Sequence, residues 1–152
     1  MGLEDRLVEL GIELPPPPQP VASYVPVVVS GTLAFVAGQG AIVDGKVLHP
    51  GHVGDDVSID QAKEAAERAA LQVFSALKQE FGSLDRVRRI LSVTVYVAST
   101  QGFTDQPVVA NGASDLFIRV MGDAGRHARA AVGVLELPLG LPVEVAVVAE
   151  VS

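Results

Sequence analysis

Cysteine is absent from the 152-residue sequence, which excludes disulfide bridges, a cysteine nucleophile and thiolate metal sites. Tryptophan is absent too. Five Phe and two Tyr bring aromatics to only 5%, so the 49% of apolar residues must pack mainly as Val, Ala and Leu. Cations are outnumbered: eleven Lys and Arg face eighteen Asp and Glu, a formal net charge of −7. Nucleic-acid affinity comes largely from cations set on phosphates, so no nucleic-acid partner is expected. Every apolar run is broken by charge or proline well short of the ~20 residues that cross a bilayer, and no membrane partner is expected either. Residues 1–10 mix Glu4, Asp5, Arg6 and Glu9 with leucines, unlike a signal peptide's apolar core. A cytoplasmic location is the resulting expectation.

What remains is an apolar chain, with mean hydropathy +0.38 and only 19% charged residues. Surplus apolar surface without a membrane is expected to meet further subunits. Along the chain, residues 3–10 fit a short amphipathic helix ended by Gly11, and Pro15 to Pro18 favour a stiff extended strap or spacer. Residues 25–30 and 33–37 read as strands joined at Gly31, with Pro26 placing the first at a sheet edge or bulge. Asp44-Gly45 predicts a small hairpin. Ser58 and Gln61 form a capping box ahead of a helical stripe of Ala62, Ala66, Ala69, Val73 and Leu77 that Gly82 closes. Strands follow over 87–98, 128–137 and 143–151, with a helix over 107–120 opened by Pro107. This order predicts an α+β domain, a mixed sheet with two helices on one face.

Several chemistries find no support. His49 and His52 stand in a Gly/Pro loop with no carboxylate beside them, and His127 is distant in sequence, so no metal is expected. The glycines of 31–40 serve hairpin turns instead of opening a helix, and no nucleotide-binding motif or nucleophile elbow is present; no cofactor is expected. Arg129 is different. It opens an apolar strand between Ala128 and Ala130, where small neighbours leave room for a ligand carboxylate against its fork of donors. Glu144 stands in the last strand among Val143, Val145 and Ala146, either as an ion-pair partner or as a general base. A simple hairpin about residues 139–140 would pair Arg129 with position 150 and Glu144 with position 135. The two would then share a face about 20 Å apart, and only a bulge or a subunit interface could join them.

The run Arg126-His127-Ala128-Arg129-Ala130-Ala131-Val132-Gly133, then Leu137-Pro138, then Val143-Glu144-Val145, resembles the reactive intermediate deaminases, the RidA/YjgF family. Tyr24, Ala37-Gly38-Gln39 and Asn111 resemble that family's tyrosine, its Ser-Gly-Gln turn and its helix asparagine. The resemblance runs in order from about residue 22 to 151, which leaves residues 1–20 as an N-terminal extension and 21–152 as one domain. It implies a chorismate-mutase-like fold assembled as a homotrimer with a barrel-like core and clefts between subunits. It further implies a deaminase that hydrolyses reactive 2-imino acids, of the 2-aminoacrylate type, to 2-oxo acids and ammonia. Arg129 would hold the substrate carboxylate, helped by backbone at Gly38. Glu144 would activate the water, with the carbonyl of Ala131 as a second contact, and Tyr24 and Asn111 would line the pocket.

The sequence departs from the family pattern twice: Ala37 replaces the turn serine, and Ala131 occupies a position commonly cysteine. The alternative reading is a non-catalytic trimer that binds a small carboxylate. Ribonuclease activity is a third reading, opposed by the net charge. Chorismate mutase activity would be a fold analogy alone.

Overall fold

The structure, a computed structural model, describes residues 1–19 and 22–152. The boundary expected between residues 20 and 21 therefore falls on the two residues outside those described. The elements are helices α1 (Leu3–Glu9), α2 (Ile59–Phe81) and α3 (Gln106–Met121), and strands β1 (Val27–Ser30), β2 (Leu33–Gly40), β3 (Ile42–Val43), β4 (Lys46–Val47), β5 (Val87–Ala98), β6 (Ala128–Val134) and β7 (Val143–Val151). The strongest local signals all form as expected. Ser58 and Gln61 make their reciprocal cap, and Gly82 ends α2 in the left-handed conformation. Asp44 and Gly45 both take positive φ, the geometry that joins β3 to β4 in a two-residue hairpin.

Five strands form one mixed sheet in the order β1-β2-β7-β5-β6, an α+β fold with α2 and α3 on one face. β1 lies at an edge, as Pro26 requires. β7 runs antiparallel to both β2 and β5, whereas β6 runs parallel to β5 on the far edge. This overturns the β6–β7 hairpin: Arg129 pairs with Val93, and Glu144 lies between Tyr96 and Gly40. The physical reason is burial. Val93, Val95 and Val97 of β5 meet Val147, Val145 and Val143 of β7 in register, and all six are buried under the helices. The mostly exposed β6 offers β7 no such set. Residues 135–142 instead cross the end of β5 through a turn at Pro138–Gly140 in which Leu139 has φ 64°.

α2 and α3 pack closely because their contact faces are small. Ala62, Ala65, Ala66, Ala69 and Ala70 of α2 are buried without residue, and Phe74 meets Phe117 of α3 edge-to-face at 5.5 Å. Ahead of the sheet, Leu7 of α1 joins the core, with Leu10, Ile12 and Leu14 packed against it. Pro15 is buried, and its carbonyl accepts a 2.8 Å hydrogen bond from the buried Ser75 hydroxyl of α2. The proline run is thus a strap across the helix. On the opposite face of the sheet no described helix covers Val28, Phe35 and Val132, which are 54%, 46% and 43% exposed.

At Gly112 the helices touch so closely that a Cβ would overlap the carbonyl of Lys63. Alanine inside an open helix normally gains about 1 kcal/mol over glycine. Here Gly112→Ala is expected to reverse the sign and destabilise by about 1–3 kcal/mol, the cost of overpacking. Thermal unfolding checks it: a melting temperature at or above that of the wild type would refute the close approach.

Candidate functional site

Arg129 is the second residue of β6 and turns towards α3. Its Nη1 donates to Asn111 Oδ1 at 2.8 Å and to Ser114 Oγ at 3.2 Å, and its Nη2 donates to the Pro107 carbonyl at 3.3 Å. A guanidinium has five N–H donors. Three are thus engaged, and Nε–H plus one Nη2–H remain, as many as the two oxygens of a carboxylate take. Among the described residues no Asp or Glu pairs with Arg129. The frame around it holds because Pro107 opens α3 while Asn111 and Ser114, three apart, share one helix face.

Behind the arginine stands a residue the sequence reading set aside. His127 lies two positions before Arg129, on the same side of the chain, and its Nε2 is 2.8 Å from Ser114 Oγ. Its Nδ1 lies 2.6 Å from the Gly125 carbonyl. The ring stacks edge-to-face on Phe117 at 5.9 Å. Burial pushes its pKa down, and the neighbouring Arg129 charge adds to that, against an opposing contribution from the Gly125 bond. Spacing held the clue to both missed residues: i, i+3 on a helix for Asn111 and Ser114, and i, i+2 on a strand for His127 and Arg129.

Glu144 occupies a different place. The pairing rows put Arg129 level with Val93 and Val147, but Glu144 level with Tyr96 and Val132. Three residues separate the rows, so the two side chains leave opposite faces of the sheet, about 14 Å apart at Cα from strand spacing and rise. The expectation of a shared face is corrected: with β5 between their strands, the register sets their rows an odd number of residues apart. Glu144 faces the side without helices, beside a bulge of β2 between Val36 and Gln39. There Gly38 leaves room for the Glu144 carboxylate, since a Cβ on it would lie 2.6 Å from Oε2 and the side chain would have to shift. Burial alone raises the Glu144 pKa, and no described residue gives it a hydrogen bond.

The structure therefore joins Arg129 with Asn111, and Glu144 with Gly38, in two separate clusters. Gly38 does not approach Arg129. Ala131 follows Arg129 by two positions, half-buried and packed on the core beside Val95. Tyr24 is 48% exposed, in a turn where its N–H donates to the Ala22 carbonyl. His49 turns to Glu64 and His52 to Glu136 and the Leu135 carbonyl.

Comparison with known proteins places these residues in context. Residues 4–151 match the sequence model of the family described as "YjgF/chorismate mutase-like, putative endoribonuclease". Protein TCP17 of Trypanosoma cruzi is 43% identical over 97% of this chain and 92% of its own length. A protein of unknown function from Agrobacterium tumefaciens has a similar structure, with TM-score 0.91 and 41% identity over 99% of this chain and 92% of that one. A protein from Shewanella oneidensis described as a putative endoribonuclease superposes with TM-score 0.94 at 31% identity, covering 99% and 100% of the two chains.

A half-buried carboxylate without partners costs stability when ionised. Its raised folded pKa makes Glu144 favourable to folding only at pH values below the ordinary carboxylate pKa, and that contribution is lost as pH rises through the folded value. Glu144→Gln is therefore expected to melt at a higher temperature than wild type at neutral pH. The advantage should vanish as pH falls through the ordinary carboxylate range, near 4.3. Melting curves from pH 4 to 8 check this, and equal melting temperatures at pH 7 would show that Glu144 is satisfied.

Proposed function

The chain belongs to the YjgF/chorismate mutase-like family, and from that premise we propose that it is an imine and enamine hydrolase that converts 2-imino acids to 2-oxo acids and ammonia. The observation that carries this reading is the pair of donors left on Arg129, beside an arginine frame with no protein carboxylate in it. A small 2-imino acid brings that carboxylate. Two charged hydrogen bonds to it contribute about 1.5–3 kcal/mol each. Water adds to the imine carbon as Glu144 takes its proton and passes it to the imine nitrogen; Glu144 then carries the hydroxyl proton of the resulting carbinolamine to that nitrogen, so that ammonia leaves as the carbonyl forms. A carboxylate whose pKa is raised by burial is a better base for that proton than an exposed one. Orientation supplies much of the rest, and no cofactor enters the scheme.

Arg129 and Glu144 leave opposite faces of one sheet, so in this reading a cleft combines Arg129 of one subunit with Glu144 of another. A homotrimer packed through the uncovered faces around Phe35 and Val132 would form a barrel-like core and three such clefts. Tyr24 and the Ala131 carbonyl would line the cleft from whichever subunit brings them near, in a cytoplasmic protein. The description of the family as endoribonuclease finds less support, since the net charge is −7 and phosphate binding needs clustered cations. One observation favours a second reading, a carboxylate-binding trimer without catalysis: the arginine frame is complete without Glu144.

An amino-acid oxidase coupled to the purified protein generates 2-imino acids in place, and their loss is followed directly. Wild type is expected to accelerate hydrolysis. Arg129→Ala should lower kcat/KM by about a hundredfold or more, from the loss of two charged hydrogen bonds, and Glu144→Gln should lower kcat by about 10²–10⁴, the range for a lost general base. No acceleration by wild type, with 2-oxo-acid binding that requires Arg129, would leave the binding reading in place. Light scattering should give three times the monomer mass, and a monomer would remove the shared cleft.

A further inference from the structure

The Gly125 carbonyl settles the tautomer of His127. A carbonyl only accepts, so the 2.6 Å contact at Nδ1 requires Nδ1–H, and a neutral ring then leaves Nε2 as a bare acceptor. The neutral form agrees with the burial that holds the ring's pKa down. The partner of Nε2 is Ser114 Oγ at 2.8 Å, so the single hydroxyl proton of Ser114 points at the histidine. Its lone pairs are thereby turned towards Arg129, whose Nη1 lies 3.2 Å away. Ser114 is only 7% exposed, so water does not readily substitute for either partner. Phe117, itself held by Phe74, fixes the ring from the side.

We propose that Ser114 and His127 are positioning residues that fix which donors of Arg129 are free to take a ligand. The chain Gly125 carbonyl, His127, Ser114, Arg129 runs in one donor direction only: each group's proton assignment follows from the one before it. With Ser114 and Asn111 both accepting from Nη1, that nitrogen is fully occupied. The side of the guanidinium that carries Nε is the one left open. If Ser114 were free to rotate, its proton would oppose Nη1 and the guanidinium could turn its occupied edge towards the ligand. The inference rests on the reading of Arg129 as the carboxylate anchor, but its core, the ordering of Arg129, is measurable without any ligand.

The test uses the full chain labelled with ¹⁵N. Arg129 Nε–H order is measured by relaxation, and pyruvate binding by calorimetry, in wild type, Ser114→Ala, His127→Phe and His127→Gln. Phenylalanine keeps the packing on Phe117 but accepts no hydrogen bond. Glutamine places an acceptor oxygen near the position of Nε2. Ser114→Ala and His127→Phe are expected to loosen Arg129 and weaken pyruvate binding about three- to tenfold, the equivalent of one lost neutral hydrogen bond, while His127→Gln restores both. Unchanged Arg129 order in the folded Ser114→Ala and His127→Phe variants would overturn the proposal, as would a His127→Gln variant no better than His127→Phe. Loosened Arg129 with no pyruvate binding in wild type would uphold the positioning and sink the anchor reading instead.

Discussion

The placement of β7 between β2 and β5 is the constraint on which the rest of the structure depends. Its alternate valines lie under α2 and meet the valines of β5, so one strand completes the core for both halves of the sheet. Because it separates β2 from β5, the crossover through α2 must span a gap one strand wide. Because it prefers the buried β5, it leaves β6 at the far edge, paired on one side only. The position of Arg129 on an edge strand beneath α3, and of Glu144 in the sheet centre on the uncovered face, both follow from that choice.

Around Arg129 the fold is economical with polar groups. The helices approach through alanines and one glycine, and the polar side chains at the junction of α3 and β6 form a single chain of bonds from the Gly125 carbonyl to the guanidinium. Within that chain His127 and Ser114 have partners on both sides, as buried polar atoms require, and only the guanidinium keeps donors to spare. Glu144 is the opposite case, half-buried beside a glycine bulge with no bond from the described protein. A half-buried carboxylate without a protein hydrogen bond is the kind of local cost that functional sites carry.

Local chemistry made much of the fold legible in the sequence. The capping box of Ser58 and Gln61, the Asp44-Gly45 turn, Pro107 and the Val/Ser/Thr alternation of β5 each act over a few residues, and each element formed close to its expected bounds. The neighbour of β6 was not legible. Two adjacent strands with a turn residue between them read as a hairpin, and what decides otherwise is burial of β7 against valines of β5 that lie 46 to 54 positions earlier. That one pairing also set the faces of Arg129 and Glu144, so the error in topology became an error in the site. Asn111 was found through a family resemblance. Ser114 and His127 were missed because a serine and a histidine mean little until a helix and a strand bring them within 3 Å.

The order of strands in space also fixes an order in time. β7 follows every other strand in the chain yet fills the middle of the sheet, so during synthesis β2 and β5 wait with facing edges unpaired until it emerges. The N-terminal strap waits too, since its receptor Ser75 is made some sixty residues after Pro15. Non-local pairings of this kind fold slowly, and unpaired inner edges invite pairing with other chains. A nascent chain of this protein therefore carries its greatest aggregation hazard on the ribosome, shortly before its last strand arrives.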